Sequence, residues 1–416
     1  MKIIAVDPFY LRMPDITAAA DGTQDTLLVR IRTDTGLEGW GECDASPLVS
    51  LTVYCCPMSH GNIINLRTSL IGETLDGLED VLRLSEKALR NGLDIQQIQH
   101  AYSGAEMALW DIIGQKLEKP VYRLLESAFG TRAYSNRGTA DIAHPKLPYA
   151  SVLFGDTPAA TYCIAAGLRE QGYRAAKFGW GPIGKLGEAN DIALVRAARE
   201  GMGTEAQIMI DAGVVWGKDY DTAYQRAAAF AQFSPTWLEE PLAPHAINAY
   251  GALTDLLKGS EVTNPAHGTG VPIAAGEGSN SYRMAEDLIV HGGIQFVQID
   301  AGRIGGIAPA FQVRQLAEQH GIQYVNHTFK SHLSLAAALH VFATNPDFNL
   351  LEYPAAGSEL SQRLVTEPLQ VESDGLVRVK ELPGLGVRVD TEAIRPYLVP
   401  VRIVVGAAPV FEQGDF

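Results

Sequence analysis

From about Pro148 onward the chain repeats one unit: a short apolar run followed by an amphipathic stretch of helical period. The apolar runs fall at Ala150–Phe154, Ala175–Phe178, Ile208–Asp211, Trp237–Glu239, Pro272–Ala275, Phe296–Ile299, Gln323–Asn326 and Asn349–Glu352. Helical patterns sit between them, for example over Glu188–Glu200, Tyr220–Phe230, Ser281–His291, Ala308–His320 and Leu333–Thr344. Runs this short and apolar read as strands buried on both faces, and strands that alternate with helices form parallel sheets. Eight such units predict a (β/α)₈ barrel, with the last helix missing. At 416 residues the chain is too long for one ordinary core, so a smaller unit is expected beside the barrel.

A barrel brings the C-terminal ends of all its strands to one mouth. Three successive runs here end in an acid: Asp211, Glu239 and Glu277. Three carboxylates on neighbouring strands, with no cysteine or histidine among them, suit a hard cation with oxygen ligands, and Mg²⁺ fits best. The next two strands end in Asp300 and His327. A carboxylate behind an imidazole fixes its tautomer and raises its basicity, as a general base requires. Lys177 ends the second strand, where it could bind a substrate carboxylate, balance developing charge or pair with the acids; Glu352 ends the eighth, where a protonated carboxyl could donate to a developing enolate oxygen. Glu240 points away from Glu239 along a continuing strand and is read as structural, and His245, Lys330 and His332 as structural or peripheral.

The flanks read differently. Residues Thr26–Thr33 alternate, and Asp34-Thr-Gly-Leu37 turns them into Glu38–Glu42 as a hairpin. Residues 43–62 have no period and read as a loop, either on the surface or over a pocket. Helices are expected over Leu75–Asn91 and Ile95–Lys116, the second well buried. The tail Leu360–Phe416 lacks the barrel rhythm and is expected to return to the N-terminal unit. A formal net charge of −15 argues against nucleic acid or an anionic membrane as partner. Neither a leader pattern nor a long apolar run is seen, and a cytoplasmic location is expected. Gly179-Trp-Gly-Pro-Ile-Gly184 matches a dinucleotide-binding pattern, yet Pro182 removes an N–H from the would-be phosphate cradle. The following helix also starts too late, near Glu188, so a plain loop is the reading kept.

Taken together, Ala108-Leu-Trp-Asp111, Lys119-Pro-Val-Tyr-Arg-Leu-Leu125, Glu239-Glu-Pro241, Gly276-Glu277, Asp300 with Arg303-Ile-Gly-Gly306, and Glu352 resemble the mandelate racemase group of the enolase superfamily. The resemblance implies a modified (β/α)₇β TIM barrel under an α+β capping domain made from both chain ends. The expected division is 1–137 for the cap, 138–359 for the barrel and 360–416 for the segment completing the cap. It also implies Asp211, Glu239 and Glu277 as Mg²⁺ ligands, an Asp300–His327 dyad, Glu352 as electrophilic donor, Lys177 at the substrate carboxylate, and a dimer or octamer.

Two positions depart from the group's pattern. Its second strand often ends Lys-x-Lys, where this chain has Lys177-Phe-Gly179, and Gly213 stands where Asn is common. The second base needed by a racemase is thus absent. A dehydratase can use His327 alone, as base and then as acid. The expected activity is an acid-sugar (aldonate or aldarate) dehydratase giving a 2-keto-3-deoxy acid, with a cycloisomerase, racemase or epimerase as the alternative. A non-catalytic sugar-acid binder or assembly partner is disfavoured because the full acid set is present. Specificity is expected from Met13–Asp25 and Cys43–His60, with Trp180 and Trp216 as candidates to line the pocket.

Overall fold

A computed structural model describes residues 1–416 except 20, 45, 62, 130–142, 261–263, 265–269, 347 and 356. The expected boundary at 137–138 lies outside the described residues. Eight parallel strands form the sheet of the larger unit: β4 (Leu147–Leu153), β5 (Ala175–Gly179), β6 (Gln207–Asp211), β7 (Leu238–Glu239), β8 (Ile273–Ala275), β9 (Phe296–Ile299), β10 (Gln323–Asn326) and β11 (Leu350–Tyr353). Their order is β10-β9-β8-β7-β6-β5-β4-β11, a cyclic succession cut between β10 and β11. The Asn326 side chain joins that seam: its Oδ1 accepts from the Glu352 N–H at 3.0 Å and its Nδ2 donates to the Glu352 carbonyl at 3.2 Å. Helices follow the strands as the sequence period requires, and the one after β5 starts only at Glu188, well past the glycine-rich loop.

The inside of the barrel explains why the strand ends carry chemistry. One buried layer is made by Tyr149, Ala175, Met209, Trp237, Ala274, Phe296, Val325 and Leu350, contributed by or next to each strand in turn. Strand side chains alternate with period two, so the next inward position lies two residues on. Those positions are Ser151, Lys177, Asp211, Glu239, Gly276, Gln298, His327 and Glu352. The apolar layer is thus a floor under a polar layer that opens at the mouth.

The smaller unit opens with a three-stranded antiparallel sheet, β1 (Ile3–Arg12), β2 (Asp25–Thr33) and β3 (Glu38–Cys43). The β2–β3 turn is the expected hairpin, with the Thr33 N–H on the Leu37 carbonyl at 3.0 Å and Gly36 at φ 86. Strand β1 went unrecognised in the sequence, because its apolar and polar residues do not alternate cleanly. Helix Ile98–Lys116 lies so close on β3 that a Cβ at Gly41 would sit 2.0 Å from the Gly104 carbonyl oxygen. The tail does return here: the Val399 N–H donates to the Tyr10 carbonyl at 2.9 Å, and Phe416 packs on Phe9. One correction concerns residues 43–62, where Pro47–Cys55 is a helix rather than loop. Its apolar residues fall on all sides, with Leu48 and Val49 exposed, so no helical period shows.

Away from the mouth, two buried acids of helix Ile98–Lys116 act as clasps, one to the barrel and one to the tail. Glu106, fully buried, accepts from the N–H groups of Ile307 (2.6 Å) and Ala308 (2.9 Å) at the start of helix Ile307–Gln319. An acid at a helix N-terminus satisfies orphan donors and the dipole together. Gly305 and Gly306 lead into that helix at φ 109 and 116, and a Cβ on Gly306 would lie 2.0 Å from Glu106 Oε2. Asp111 accepts from the Leu385 N–H at 2.9 Å, tying the tail to helix Ile98–Lys116. Among the described residues no helix is long and apolar enough to cross a membrane.

Candidate active site

Asp211, Glu239 and Glu277 meet at the mouth, each offering a carboxylate oxygen within 4.8 Å of the other two. Asp211 and Glu239 arrive by simple alternation along β6 and β7. Glu277 is three residues past Ala274 instead of two, and Gly276 at φ 129 supplies the extra turn. A Cβ at Gly276 would lie 2.7 Å from the Gln298 carbonyl oxygen, so glycine is required twice over. Glu239 is held by the floor: Trp237 Nε1 donates to its Oε2 at 2.8 Å. Asp211 Oδ1 accepts from the Gly213 N–H at 2.8 Å. Glu240 turns outward at φ 38 and accepts from the Gly276 N–H (2.8 Å) and the Tyr250 hydroxyl (2.9 Å), a structural place as expected.

The electrostatics of this cluster are those of a cation site. Burial, with the neighbouring carboxylates adding to it, pushes Asp211 up to about 7 and Glu239 up to about 8, against the pull of Lys177. Lys177 Nζ touches Glu239 Oε1, lies 2.8 Å from Glu352 Oε1 and 3.8 Å from Asp211 Oδ2. Burial works against its charge, but these acids hold the ammonium well above its ordinary range. One lysine facing this many acids leaves negative charge unbalanced. Three oxygen donors in such a setting fit a hard divalent cation.

His327 stands beside this cluster with Nδ1 2.6 Å from Asp300 Oδ2 and Nε2 3.1 Å from Glu277 Oε2. Asp300 is itself fixed by the Gly302 N–H at 2.6 Å. Burial opposes a charged imidazole, yet Glu277 and Glu352 raise His327 well above the ordinary histidine value. Glu352 reads differently from the sequence expectation. Burial raises it, but Lys177 and then His327 outweigh burial, and the Thr328 N–H donates to Oε2 at 2.7 Å, so it is held ionised rather than protonated.

The sequence singled out neither of two other groups, although Asp44 falls within the expected specificity stretch Cys43–His60. Asp44, from the segment after β3, pairs with Arg303 Nε at 2.8 Å, while Arg303 Nη1 reaches Glu277 Oε1 at 3.3 Å. Lys330, set aside as peripheral, is buried, and its Nζ donates to the carbonyls of Gly22 (2.5 Å) and Asp25 (2.9 Å). It also lies 3.5 Å from Asp44 Oδ1. The signal available was position alone: Lys330 is three residues past His327, in the loop over the mouth. His332 is buried with its pKa pushed down to about 4, chiefly by burial, and His245 is exposed; neither lines the site.

These groups surround a cavity of about 420 Å³. Its base carries Lys177, Asp211, Glu277, Arg303, His327 and Glu352; Asp44 and Ser151 lie beside them, and Ala19, Asp21, Gly22, Val152, Leu153, Trp180 and Phe329 complete the wall. Residues Ala19, Asp21 and Gly22 belong to the predicted specificity stretch, whereas Trp216 does not line the cavity. Gly179 has no room for a side chain, since a Cβ there would lie 2.8 Å from Asp211 Cβ. The missing second base is therefore matched by a site packed against it.

The family described as "Enolase C-terminal domain-like" matches residues 163–393, and "Mandelate racemase / muconate lactonizing enzyme, N-terminal domain" matches residues 2–126. A solved structure described as a predicted mandelate racemase from Rhodobacter sphaeroides superposes with a TM-score of 0.88 at 42% identity, covering 100% of both chains. The D-galactarolactone cycloisomerase of Agrobacterium fabrum is 26% identical over 90% of this chain and 91% of its own. The L-talarate/galactarate dehydratase of Salmonella typhimurium is 27% identical over 89% of this chain and 81% of its own.

Proposed function

Because this chain belongs to the mandelate racemase/muconate lactonizing enzyme family of the enolase superfamily, we propose that it is a Mg²⁺-dependent acid-sugar dehydratase. The observation that carries the reading is one-sided chemistry. His327, backed by Asp300, faces the carboxylate cluster, and the place of a second base is the side-chain-free Gly179 against Asp211.

Asp211, Glu239 and Glu277 would hold Mg²⁺, which when bound supplies positive charge at the substrate carboxylate and so acidifies the α-proton. Lys177 donates to the same carboxylate, with Glu352 fixing the ammonium in place. His327 Nε2 takes the α-proton, and Asp300 keeps Nδ1 protonated and the ring in position. The resulting enediolate expels its β-hydroxyl, which leaves as water with the proton that His327 returns. One C–H and one C–O bond break, and the enol left behind tautomerises to a 2-keto-3-deoxy acid. The alternative, a cycloisomerase, racemase or epimerase, uses the same proton abstraction; the cycloisomerase relative supports keeping it.

The test is a screen of aldonates and aldarates with Mg²⁺ in D₂O, following α-deuterium uptake and 2-keto acid formation. His327→Asn should lower exchange by about 10²–10⁴-fold while Mg²⁺ affinity survives. Exchange at the wild-type rate removes His327 from the role, and a product that retains its water selects the isomerase reading. We further propose a cytoplasmic homo-oligomer, a dimer or octamer, to be checked by light scattering.

A further inference from the structure

Trp180 is the residue on the wall that its local structure does not require. It follows β5 directly and takes φ 56, a left-handed backbone that is costly for a bulky side chain. Strain of this kind persists at binding sites, where the surroundings hold it in place. Its N–H reaches the Asp211 carbonyl at 3.3 Å. Its indole lies over Gly213: a Cβ there would be 2.9–3.1 Å from three ring carbons, Cδ2, Cε2 and Cε3. The slot in which the family often places asparagine is therefore filled by this ring. Although its ring is packed on that side, Trp180 as a whole residue is still 40% exposed, and it lines the cavity.

Its position relative to the base follows from the strand order. Gly213 follows β6, and His327 follows β10; three strands separate them in either direction around the ring. Trp180, seated on Gly213, thus stands across the mouth from the imidazole. The departure at Gly213 thus has a structural result: an aromatic wall facing the base.

Resting on the dehydratase reading, the geometry points to Trp180 as a specificity-determining residue whose indole stacks on the C–H face of the sugar-acid chain beyond C2, opposite His327. Aromatic faces bind the apolar side of polyhydroxylated chains through dispersion and area burial, without competing for the hydroxyl groups. A two- or three-carbon hydroxy acid, held by its carboxylate at the base of the site, would not reach the indole.

The test uses Trp180→Gly and Trp180→Phe in the full-length protein with Mg²⁺. Glycine is the more informative change, because it removes the ring and relieves the left-handed backbone at once. The probes are D-gluconate, D-galactonate, D-mannonate and D-xylonate, with lactate as the short control, each followed by α-deuterium exchange. For the best-exchanging aldonate, KM should rise about tenfold or more in Trp180→Gly and about two- to threefold in Trp180→Phe. The value of kcat should stay within about threefold, and any lactate exchange should not change. A merely structural role predicts instead a fall in Tm and loss of Mg²⁺ affinity with the aldonate KM unchanged. A KM shift below twofold in Trp180→Gly overturns the assignment while leaving the dehydratase reading intact. If the wild-type protein gives neither α-deuterium exchange nor 2-keto acid with any aldonate or aldarate, that reading fails, and this inference with it.

Discussion

Replacing Lys330 with methionine removes the ammonium that ties the capping segment to the barrel and keeps most of the aliphatic stem. In the structure Nζ serves the Gly22 and Asp25 carbonyls, and Gly22 lies on the cavity wall beside Asp21. Hydrogen bonds from a charged donor contribute about 1.5–3 kcal/mol each. Taking the lower figure for both, closure of the segment becomes about 3 kcal/mol less favourable, roughly a hundredfold in its equilibrium constant. Asp44 is not orphaned by the change, because Arg303 still holds it at 2.8 Å. Part of the loss is absorbed while the closed form still predominates, so KM should rise about 10- to 100-fold. The fall in kcat should be smaller, since the ammonium pairs with Asp44 and Asp25 and not with His327, Asp211, Glu239, Glu277 or Glu352. Hydrogen exchange should speed up at the Thr23 N–H, now on Asp21 Oδ1, and at the Met13 N–H, now on the Gln24 carbonyl. Steady-state kinetics and amide exchange together check this. Unchanged KM with unchanged protection at both amides would show that Lys330 does not hold the segment.

Two further outcomes follow from the same reasoning. Asp211 and Glu239, pushed up to about 7 and 8, retain protons that a cation must displace. Mg²⁺ affinity should therefore climb as pH rises through 7 to 8, with proton release on binding; calorimetry in two buffers of different ionisation heat would detect it, and pH-independent affinity would contradict it. Glu106→Ala strands the N–H groups of Ile307 and Ala308 and the Trp110 indole N–H, which lies 2.7 Å from Oε1. It should cost about 3 kcal/mol or more and, in a chain of 416 residues, lower Tm by about 3 °C or more, measured calorimetrically; a shift under a degree would mean that the clasp is not needed.

The barrel could be read from the sequence because each strand carries its own signature. A short apolar run buried on both faces needs no partner to be recognised, and the strands β9 and β10 fall on the residues expected. The acids were legible for the same reason, since period-two alternation carries the buried layer at Met209 or Trp237 straight into Asp211 or Glu239. The helix Pro47–Cys55 was not legible, because a segment covered on several sides shows no period. Lys330 and Asp44 were missed because their partners lie 308 and 259 residues away in sequence. Nothing local to either residue marks such a contact.

What the sequence determined by itself was the set of groups and the order in which they circle the mouth, because strand order follows chain order in a parallel barrel. Tertiary structure alone decided the charge each group carries. Glu352 looked like a proton donor until Lys177 was found 2.8 Å from it, and ion pairing outweighs burial there. Tertiary structure also decided what fills the two empty positions. At Gly179 it is the Asp211 side chain, and at Gly213 it is an indole. Both are contacts between neighbouring strand ends, set by packing in three dimensions and not by any local pattern.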